Sequence, residues 1–257
     1  MKRLKRSLLT LLFSVVIVPF TMAQDWPGLD RFKAENANAV GITPNEKRVV
    51  FMGNSITEGW IRIHPEFFAG KFYFNRGISG QTTPQMLIRF RADVIKLKPR
   101  VVVILAGTND IAGNTGPSTL EMIEDNLISM AQLAKANDIK VILCSVLPVY
   151  DYPWKPGLKP AEKIIELNKL IKAYAAKSGA IYLDFFTPMV DERNGLKAEY
   201  SKDGVHPNEA GYNVMEPLTE VAISNAFGIA AKPVVHKASA THTTHTTHSK
   251  HIVHKKK

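Results

Sequence analysis

Short runs of apolar, often β-branched residues recur through the middle of this 257-residue chain, and longer stretches with helical apolar periodicity separate them. The runs are Arg48–Met52, Phe72–Phe74, Val101–Ala106, Lys140–Ser145 and Ala180–Asp184. The longer stretches lie at about Pro84–Lys98, Ser118–Asn137, Pro160–Ser178 and Asn208–Phe227. Uniformly apolar strands that alternate with helices are typical of a parallel sheet buried on both faces, with right-handed crossovers. The sequence therefore predicts an α/β fold, a three-layer α/β/α sandwich.

The N-terminus has the pattern of a secretory signal peptide. Four basic residues precede the apolar run Leu8–Phe20, whose 13 residues fall short of the ~20 that a membrane-spanning helix needs. The small residues that end at Ala23 predict cleavage there. We therefore expect residues 1–23 to be removed and the protein to be secreted to the periplasm or the extracellular space, without a membrane span.

The C-terminus also differs from the rest of the chain. Residues 232–257 are rich in His, Thr and Lys, repetitive, and poor in large apolar side chains, so we expect a disordered tail. Histidines recur at every third position from His242 to His254, which leaves weak metal or polyanion binding as an alternative to a functionless solvated tail. The folded domain is accordingly predicted at residues 24–231.

Charge and cysteine content narrow the function classes. The leader holds four of the 33 basic residues and the tail six, and neither has an acidic residue, so the domain carries 23 basic against 23 acidic residues. A nucleic-acid-binding domain needs a basic patch of its own, and nucleic acid is therefore not an expected partner. The single cysteine, Cys144, excludes an intrachain disulfide and is expected to be a buried, inert thiol at the end of a strand.

Polar, glycine-containing segments follow the predicted strands, and in parallel α/β sheets the ligand binds beyond the strands' carboxyl ends. These segments are Gly53–Ser55, Asn75–Thr83, Gly107–Asp110, the loop Val146–Gly157, and Asp203–Tyr212 before the last helix. The segment Gly53–Ser55 leaves two alternatives for the role of Ser55. It is either the cap of the following helix or a nucleophile displayed on a strand-to-helix turn.

A serine nucleophile needs a base and a group that orients the base. Of the eight histidines, only His64 and His206 lie in the domain. Asp203 precedes His206 by three positions in a turn marked by Gly204 and Pro207, and this spacing can place the carboxylate against one ring nitrogen. His64 is interpreted as a surface or loop histidine.

The oxyanion formed in acyl transfer needs preorganised donors. The backbone N–H groups of Ser55 and Gly80 and the side-chain amide of Asn109 are the candidates. Asn109 has the alternative of capping the next helix, and Asp203 with His206 has the alternative of binding a metal. Two ligands make a poor zinc site, and no metal is predicted.

Taken in order, these residues resemble the four sequence blocks of the SGNH hydrolases, also called GDSL esterases/lipases. The blocks match as Ser55 in "GNSIT", Gly80 in "GISGQTT", Asn109 in "GTND" and His206 in "DGVHPN", with Asp203 at the family's aspartate. The resemblance implies a flavodoxin-like sheet of five parallel strands, a Ser55–His206–Asp203 triad, an oxyanion hole of Ser55, Gly80 and Asn109, and no cofactor. Position 54 is Asn in this chain, whereas the family has Asp. The difference concerns the turn and not a catalytic residue. The G-x-S-x-G elbow of α/β-hydrolases is absent.

Aromatic residues near the predicted strand ends are candidates for substrate binding. Trp60, Tyr150, Tyr152 and Trp154 can stack on sugar rings or cover an acyl chain, and they can equally anchor long loops. We expect a secreted serine esterase that cleaves short-chain, chiefly acetyl, esters on carbohydrates. The alternatives are a lysophospholipase or a broad acyl-ester or thioester hydrolase and, in another class, an inactive carbohydrate-binding protein. The expected partner is a small-molecule or glycan ester, and the oligomeric state stays open.

Overall fold

The computed structural model describes residues 25–39 and 47–229 and contains a five-stranded parallel sheet. The strands are β1 (Val49–Gly53), β2 (Tyr73–Gly77), β3 (Val101–Leu105), β4 (Lys140–Cys144) and β5 (Ile181–Leu183). Their order is β2-β1-β3-β4-β5, and every neighbouring pair is parallel. This order is that of flavodoxin-like folds, so the predicted fold class is confirmed. The expected signal peptide and His-rich tail lie outside the described residues.

Helices precede, connect and follow the strands. They are α1 (Lys33–Ala39), α2 (Ser55–Ile63), α3 (Pro65–Phe68), α4 (Thr83–Asp93), α5 (Thr108–Ile111), α6 (Leu120–Lys135), α7 (Ala161–Ser178), α8 (Phe186–Met189) and α9 (Glu209–Ala226). Two 3₁₀ turns lie at Ile95–Leu97 and Ala198–Tyr200. Within the described part of the chain, no helix is both long and apolar enough to cross a membrane.

The sheet separates two hydrophobic cores because successive strand residues point to opposite faces. Val50 and Met52 of β1 pack with α4, α6 and α7 on one face, whereas Val49 and Phe51 pack with α2, α3, α8 and α9 on the other. Burial on both faces explains why the strands are uniformly apolar rather than alternating.

Strand β1 marks the point where the order of strands in the sheet changes direction relative to their order in the chain. Strand β2 lies on one side of β1 and β3 on the other, which makes the carboxyl ends of β1 and β3 the switch point where such folds bind ligands. Gly53 of β1 is in register with Gly77 of β2 and Leu105 of β3, so the three strands end level. Ser55 and Asn109 lie in the segments that follow β1 and β3, so both belong to this edge of the sheet.

The predicted strands agree with the observed ones except at β2. The apolar pattern predicted a strand at Phe72–Phe74, but β2 runs from Tyr73 to Gly77. Its polar half is buried through hydrogen bonds: Asn75 Nδ2 donates to the Thr57 carbonyl at 2.6 Å, and Arg76 Nε donates to Asn36 Oδ1 at 2.9 Å. A hydrophobicity pattern cannot detect a strand residue that is buried by hydrogen bonding.

Candidate active site

The turn after β1 frees the Ser55 hydroxyl from helix capping. Asn54 is the N-cap of α2, and its Oδ1 accepts a hydrogen bond from Ile56 N at 3.0 Å. Ser55 is the first helical residue, so its own side chain is not needed to satisfy a backbone donor. The departure from Asp at position 54 therefore preserves the cap, and the capping alternative for Ser55 does not hold.

Ser55, His206 and Asp203 are joined by consecutive hydrogen bonds. Ser55 Oγ lies 3.0 Å from His206 Nε2, and His206 Nδ1 lies 2.7 Å from Asp203 Oδ2. Both ring nitrogens of His206 are thereby engaged, which argues against its use as a metal ligand. Within the residues that the structure describes, no group of three or more His, Cys, Asp or Glu is arranged to hold a metal ion.

The carboxylate of Asp203 accepts several hydrogen bonds at the opposite end of this arrangement. Asp203 Oδ1 accepts from the backbone N–H of His206 at 2.8 Å and of Val205 at 3.0 Å. Burial raises the pKa of Asp203, but these backbone donors and the His206 ring outweigh it and bring the pKa down to about 2. Asp203 is therefore ionised throughout the working pH range and can hold the imidazole in one tautomer and orientation.

Ser201 stabilises the turn that carries the aspartate and the histidine. Its buried hydroxyl lies 2.8 Å from the His206 carbonyl oxygen and accepts a hydrogen bond from Gly204 N at 3.0 Å. The sequence analysis missed Ser201. Its position two residues before Asp203 is the one feature of the sequence that suggests a role in this turn.

Gly80 and Asn109 lie at the same edge of the sheet and present free donors. Gly80 has φ +76°, a conformation that favours glycine, and among the described residues its N–H has no acceptor. Asn109 is 3% exposed, and its Nδ2 donates to the Gln81 carbonyl at 2.9 Å, which leaves its second amide hydrogen unused. Gly107, not Asn109, is the N-cap of α5. The capping alternative for Asn109 therefore does not hold either.

Asn114 ties these two donors to each other. Its side chain donates to the Gly80 carbonyl at 3.1 Å, and its backbone N–H donates to the Asn109 carbonyl at 3.0 Å. The sequence did not predict either contact, because Asn114 lies outside the four family sequence blocks.

A buried arginine on α4 holds the loop that carries Gly80. Arg89 donates to Gln81 Oε1 at 2.6 Å, to the Gly53 carbonyl at 3.1 Å and to the Arg76 carbonyl at 2.8 Å. Its Nη1 pairs with Asp93 Oδ2 at 3.0 Å, and both side chains are fully buried. Arg89 thus connects the ends of β1 and β2 to the loop. Sequence reasoning missed it, although an arginine on the apolar face of a helix is an unusual placement.

Asp110 adjoins Asn109 and binds the start of α4. Its carboxylate accepts from Thr83 N at 2.9 Å and from Thr83 Oγ1 at 2.6 Å. Burial raises the pKa of Asp110 to about 6, against the lowering effect of these donors. Asp110 therefore joins α5 to α4 through its hydrogen bonds to Thr83.

Two of the four aromatic candidates are buried, which contradicts their predicted contact with substrate. Trp60 is 1% exposed and stacks on Phe67 at 4.9 Å, and Tyr152 is 1% exposed with its hydroxyl 2.8 Å from Thr108 Oγ1. Trp60 follows Ser55 by five positions, about 140° around the helix, so it faces the core when Ser55 faces the cleft. Both aromatics act as anchors of their segments.

The other two candidates are exposed but differ in position. Trp154 is 46% exposed, and its ring centroid lies 6.1 Å from that of His206, so it stands at the rim of the site. Tyr150 is 44% exposed and packs against the Arg193 guanidinium at 4.9 Å. Trp154 alone of the four adjoins the catalytic candidates.

His64 and Cys144 are both buried. His64 lies in the connection between α2 and α3, as the loop interpretation expected, but it is 4% exposed, so the surface interpretation is wrong. Its Nδ1 lies 3.0 Å from Glu216 Oε1, and it makes no contact with Ser55. Burial raises the pKa of the Cys144 thiol, which agrees with an inert side chain.

A cavity of about 210 Å³ opens beside Ser55. Ser55 and His206 line it together with Glu58, Arg62, Ser79 and Tyr212. The lining is about as polar as it is apolar and contains charges of both signs. This cavity can accept a small, hydrogen-bonding group more readily than a long hydrocarbon chain.

The family model of the GDSL-like lipase/acylhydrolase family matches residues 51–214, a span that contains all the catalytic candidates. A solved structure of a GDSL-like lipase from Bacteroides thetaiotaomicron is 51% identical, with a TM-score of 0.76 over 78% of this chain and 98% of that one. Esterase TesA of Pseudomonas aeruginosa is 31% identical over 161 residues, 61% of this chain and 73% of its own. An acetylxylan esterase of Xylanibacter ruminicola is 28% identical over 213 residues, 68% of this chain and 43% of its own.

Proposed function

Because the chain belongs to the GDSL-like lipase/acylhydrolase family, the SGNH hydrolases, and is a carboxylic ester hydrolase, we propose that it is a secreted serine esterase of short-chain acyl esters, chiefly acetyl esters of carbohydrates. The observation that carries the catalytic part is the continuous series of hydrogen bonds from Ser55 through His206 to Asp203, at 3.0 Å and 2.7 Å. Such a series is what activation of a serine hydroxyl requires.

In the first half-reaction, Ser55 Oγ attacks the ester carbonyl while His206 Nε2 accepts the hydroxyl proton. The tetrahedral intermediate collapses when the same proton passes to the leaving alcohol oxygen, which leaves an acyl group on Ser55. In the second half-reaction, His206 accepts a proton from water as the water attacks the acyl carbonyl. Return of that proton to Ser55 Oγ releases the carboxylic acid and restores the enzyme.

The negative charge that develops on the carbonyl oxygen is stabilised by donors already in place. We assign this task to the N–H groups of Ser55 and Gly80 and to the second amide hydrogen of Asn109. Support comes from the positive φ of Gly80 and from the bonds that fix Asn109 and Gly80 to Asn114. Donors that need no rearrangement during the reaction give the largest stabilisation.

The small, partly polar cavity and the exposed ring of Trp154 support a short acyl group on a sugar. Flat aromatic rings beside hydrogen-bonding groups suit carbohydrate, and a relative is named an acetylxylan esterase. The sequence pattern of residues 1–23 supports secretion, and a mature protein that starts at Gln24 is the expected product. Domain limits of 24–231 are part of the same proposal.

A fluorophosphonate probe and a series of p-nitrophenyl esters test this function. The probe is expected to label the wild-type protein at Ser55 and to leave Ser55→Ala unlabelled and inactive. Acetyl esters are expected to exceed esters of eight or more carbons in kcat/KM by about tenfold, or ~1.4 kcal/mol in barrier. A preference for octanoyl esters would favour the lysophospholipase alternative. Absence of both labelling and turnover would favour an inactive binding protein.

Trp154→Ala tests the carbohydrate part. We expect it to lower turnover of an acetylated glycan more than turnover of p-nitrophenyl acetate, because only the glycan offers a ring to stack on. Trp26→Ala is the matched control, since Trp26 is 47% exposed and lies outside the cavity lining.

A further inference from the structure

One face of α2 lines the cavity beside the nucleophile, and its opposite face is buried. Ser55, Gly59 and Arg62 line the cavity, whereas Ile56 and Trp60 belong to the hydrophobic core. Residues three or four positions apart share a helix face, so a single face runs from the nucleophile to Arg62.

The end of the Arg62 side chain lies over Gly59 on this face. A β-carbon at position 59 would lie 3.1 Å from the Tyr212 hydroxyl and 3.8 Å from an Arg62 guanidinium nitrogen. The guanidinium therefore turns back towards the N-terminus of α2, as long helical side chains do. Gly59 is one turn from Ser55, about 6 Å along the axis. This separation is close to the span of one sugar ring.

Arg62 has no acidic partner within residues 25–39 and 47–229. Glu58 lies four positions earlier, a spacing that normally allows an ion pair. However, its Oε2 accepts from Ser79 N at 3.0 Å, and its Oε1 lies 3.7 Å from Arg31. Over those same two ranges, Arg62 forms no hydrogen bond or salt bridge. Its charge thus remains available to a group that enters the cavity.

We propose that Arg62 makes the enzyme selective for acyl esters whose alcohol carries an anionic group about one ring from the ester oxygen, as in an O-acetylated acidic sugar. This specificity rests on the proposed esterase function at Ser55. A guanidinium binds a carboxylate or a phosphate through two parallel hydrogen bonds, and such charge-assisted bonds are stronger than neutral ones. Glu58 also lines the cavity, but its carboxylate already accepts from Ser79 N and lies next to Arg31, whose positive charge partly offsets it.

The test compares matched acetyl esters that differ in one charge. A methyl glucuronide and a methyl glucoside, both acetylated at the same position, report the ratio of kcat/KM for the charged and the neutral sugar. Acetylated glycerol phosphate and acetylated glycerol form a second pair, which reports whether a phosphate serves as the anion. The same pairs are measured with Arg62→Gln, with Arg62→Lys and with Arg91→Gln, an exposed arginine on α4, as control.

The wild type is expected to favour the charged member of a pair by about tenfold or more, the size expected for one charge-assisted hydrogen bond. Arg62→Gln should bring the ratio to about one. Arg62→Lys should retain part of the preference, because lysine keeps the positive charge but cannot form the two parallel hydrogen bonds of a guanidinium. Arg91→Gln should retain all of it. If only the glycerol phosphate pair shows the preference, Arg62 recognises an anion, and that anion is a phosphate and not a carboxylate.

An unchanged ratio in Arg62→Gln, or a wild type that prefers the neutral esters, would overturn the proposal. A binding measurement separates this failure from failure of the esterase function. Calorimetry with Ser55→Ala compares the binding of unacetylated methyl glucuronide and methyl glucoside, with and without Arg62→Gln. Arg62-dependent binding of the glucuronide without any turnover by the wild type would contradict the esterase function only. Equal binding of the two sugars in both variants would contradict the specificity.

Discussion

At the scale of single residues, Asn109 is distinguished by an amide group that uses one hydrogen inside the fold and keeps one free. Removal of the side chain eliminates the proposed oxyanion donor, so Asn109→Ala is expected to lower kcat by about 10²–10³ with little change in KM. Asn126→Ala is the matched control, because Asn126 also makes a partly buried amide hydrogen bond, to Thr83 Oγ1 at 3.1 Å. Steady-state kinetics on p-nitrophenyl acetate are the measurement, and a kcat within threefold of wild type would contradict the assignment.

Asp110 gives a prediction for stability as a function of pH. Its pKa of about 6 in the folded protein exceeds the usual 3.8, so the neutral carboxyl favours the folded state. This contribution is present in full below pH ~3.8 and is lost as the pH rises through about 6, with a total of up to ~3 kcal/mol. Asp110→Asn removes the titration. The free energy of unfolding of the variant relative to wild type should therefore increase between pH 4 and pH 7.

Urea unfolding at intervals of one pH unit measures this difference. Asp125→Asn, which replaces an exposed carboxylate of α6, is the matched control. A difference between Asp110→Asn and wild type that stays constant from pH 4 to pH 7 would show that folding does not raise the pKa of Asp110.

At the scale of elements, the site depends on how α4 is fixed to the ends of β1 and β2. Arg89 supplies that connection and is fully buried with Asp93. Arg89→Met leaves the Asp93 carboxylate buried, with Asn36 Nδ2, at 2.7 Å, as its remaining side-chain donor among the described residues. Loss of one partner of a buried ion pair costs about 3–5 kcal/mol, and we expect a loss of stability of that size.

A double-mutant cycle measures the ion pair itself. Arg89→Met combined with Asp93→Asn should recover part of the stability lost in the single variant, because the uncompensated buried charge is gone. Arg91→Met is the control on the exposed side of the same helix and should change stability by less than about 0.5 kcal/mol. An Arg89→Met variant as stable as this control would refute the structural importance of the network.

The same elements show what the sequence can and cannot predict. Strands such as Val101–Leu105 are recognisable because a doubly buried strand must be uniformly apolar, and Ser55, Gly80, Asn109 and His206 are recognisable because short motifs hold them. Arg89, Asn114 and Ser201 were missed because each acts through hydrogen bonds to residues that only the folded chain brings near. Trp60 and Tyr152 were placed wrongly because closeness in sequence to a site does not determine which face of an element a side chain occupies.

At the scale of the whole molecule, the two hydrophobic cores explain which part of the chain should fold alone. Among the residues that the structure describes, those of both cores lie between Ala39 and Ile223, and Ser55, Gly80, Asn109, Asp203 and His206 lie within the same span. The N-terminal segment near Trp26 adds hydrogen bonds to this unit, since the Trp26 carbonyl accepts from Gln85 Nε2 at 2.7 Å and the Pro27 carbonyl accepts from Gln81 Nε2 at 2.7 Å. A domain that starts at Gln24 keeps these contacts.

A chain of residues 24–231 is therefore expected to match the chain of residues 24–257 in both activity and stability. The composition of residues 232–257 offers few large apolar side chains to bury, so their removal should cost little free energy. We expect kcat/KM for p-nitrophenyl acetate within twofold and a Tm shift below about 2–4 °C, which corresponds to less than ~1 kcal/mol for a domain of this size. The measurements are esterase assays and thermal unfolding of the two chains in the same buffer. A larger fall in Tm on truncation would show that the tail packs against the domain, and a larger fall in kcat/KM at unchanged Tm would show that it contributes to the site.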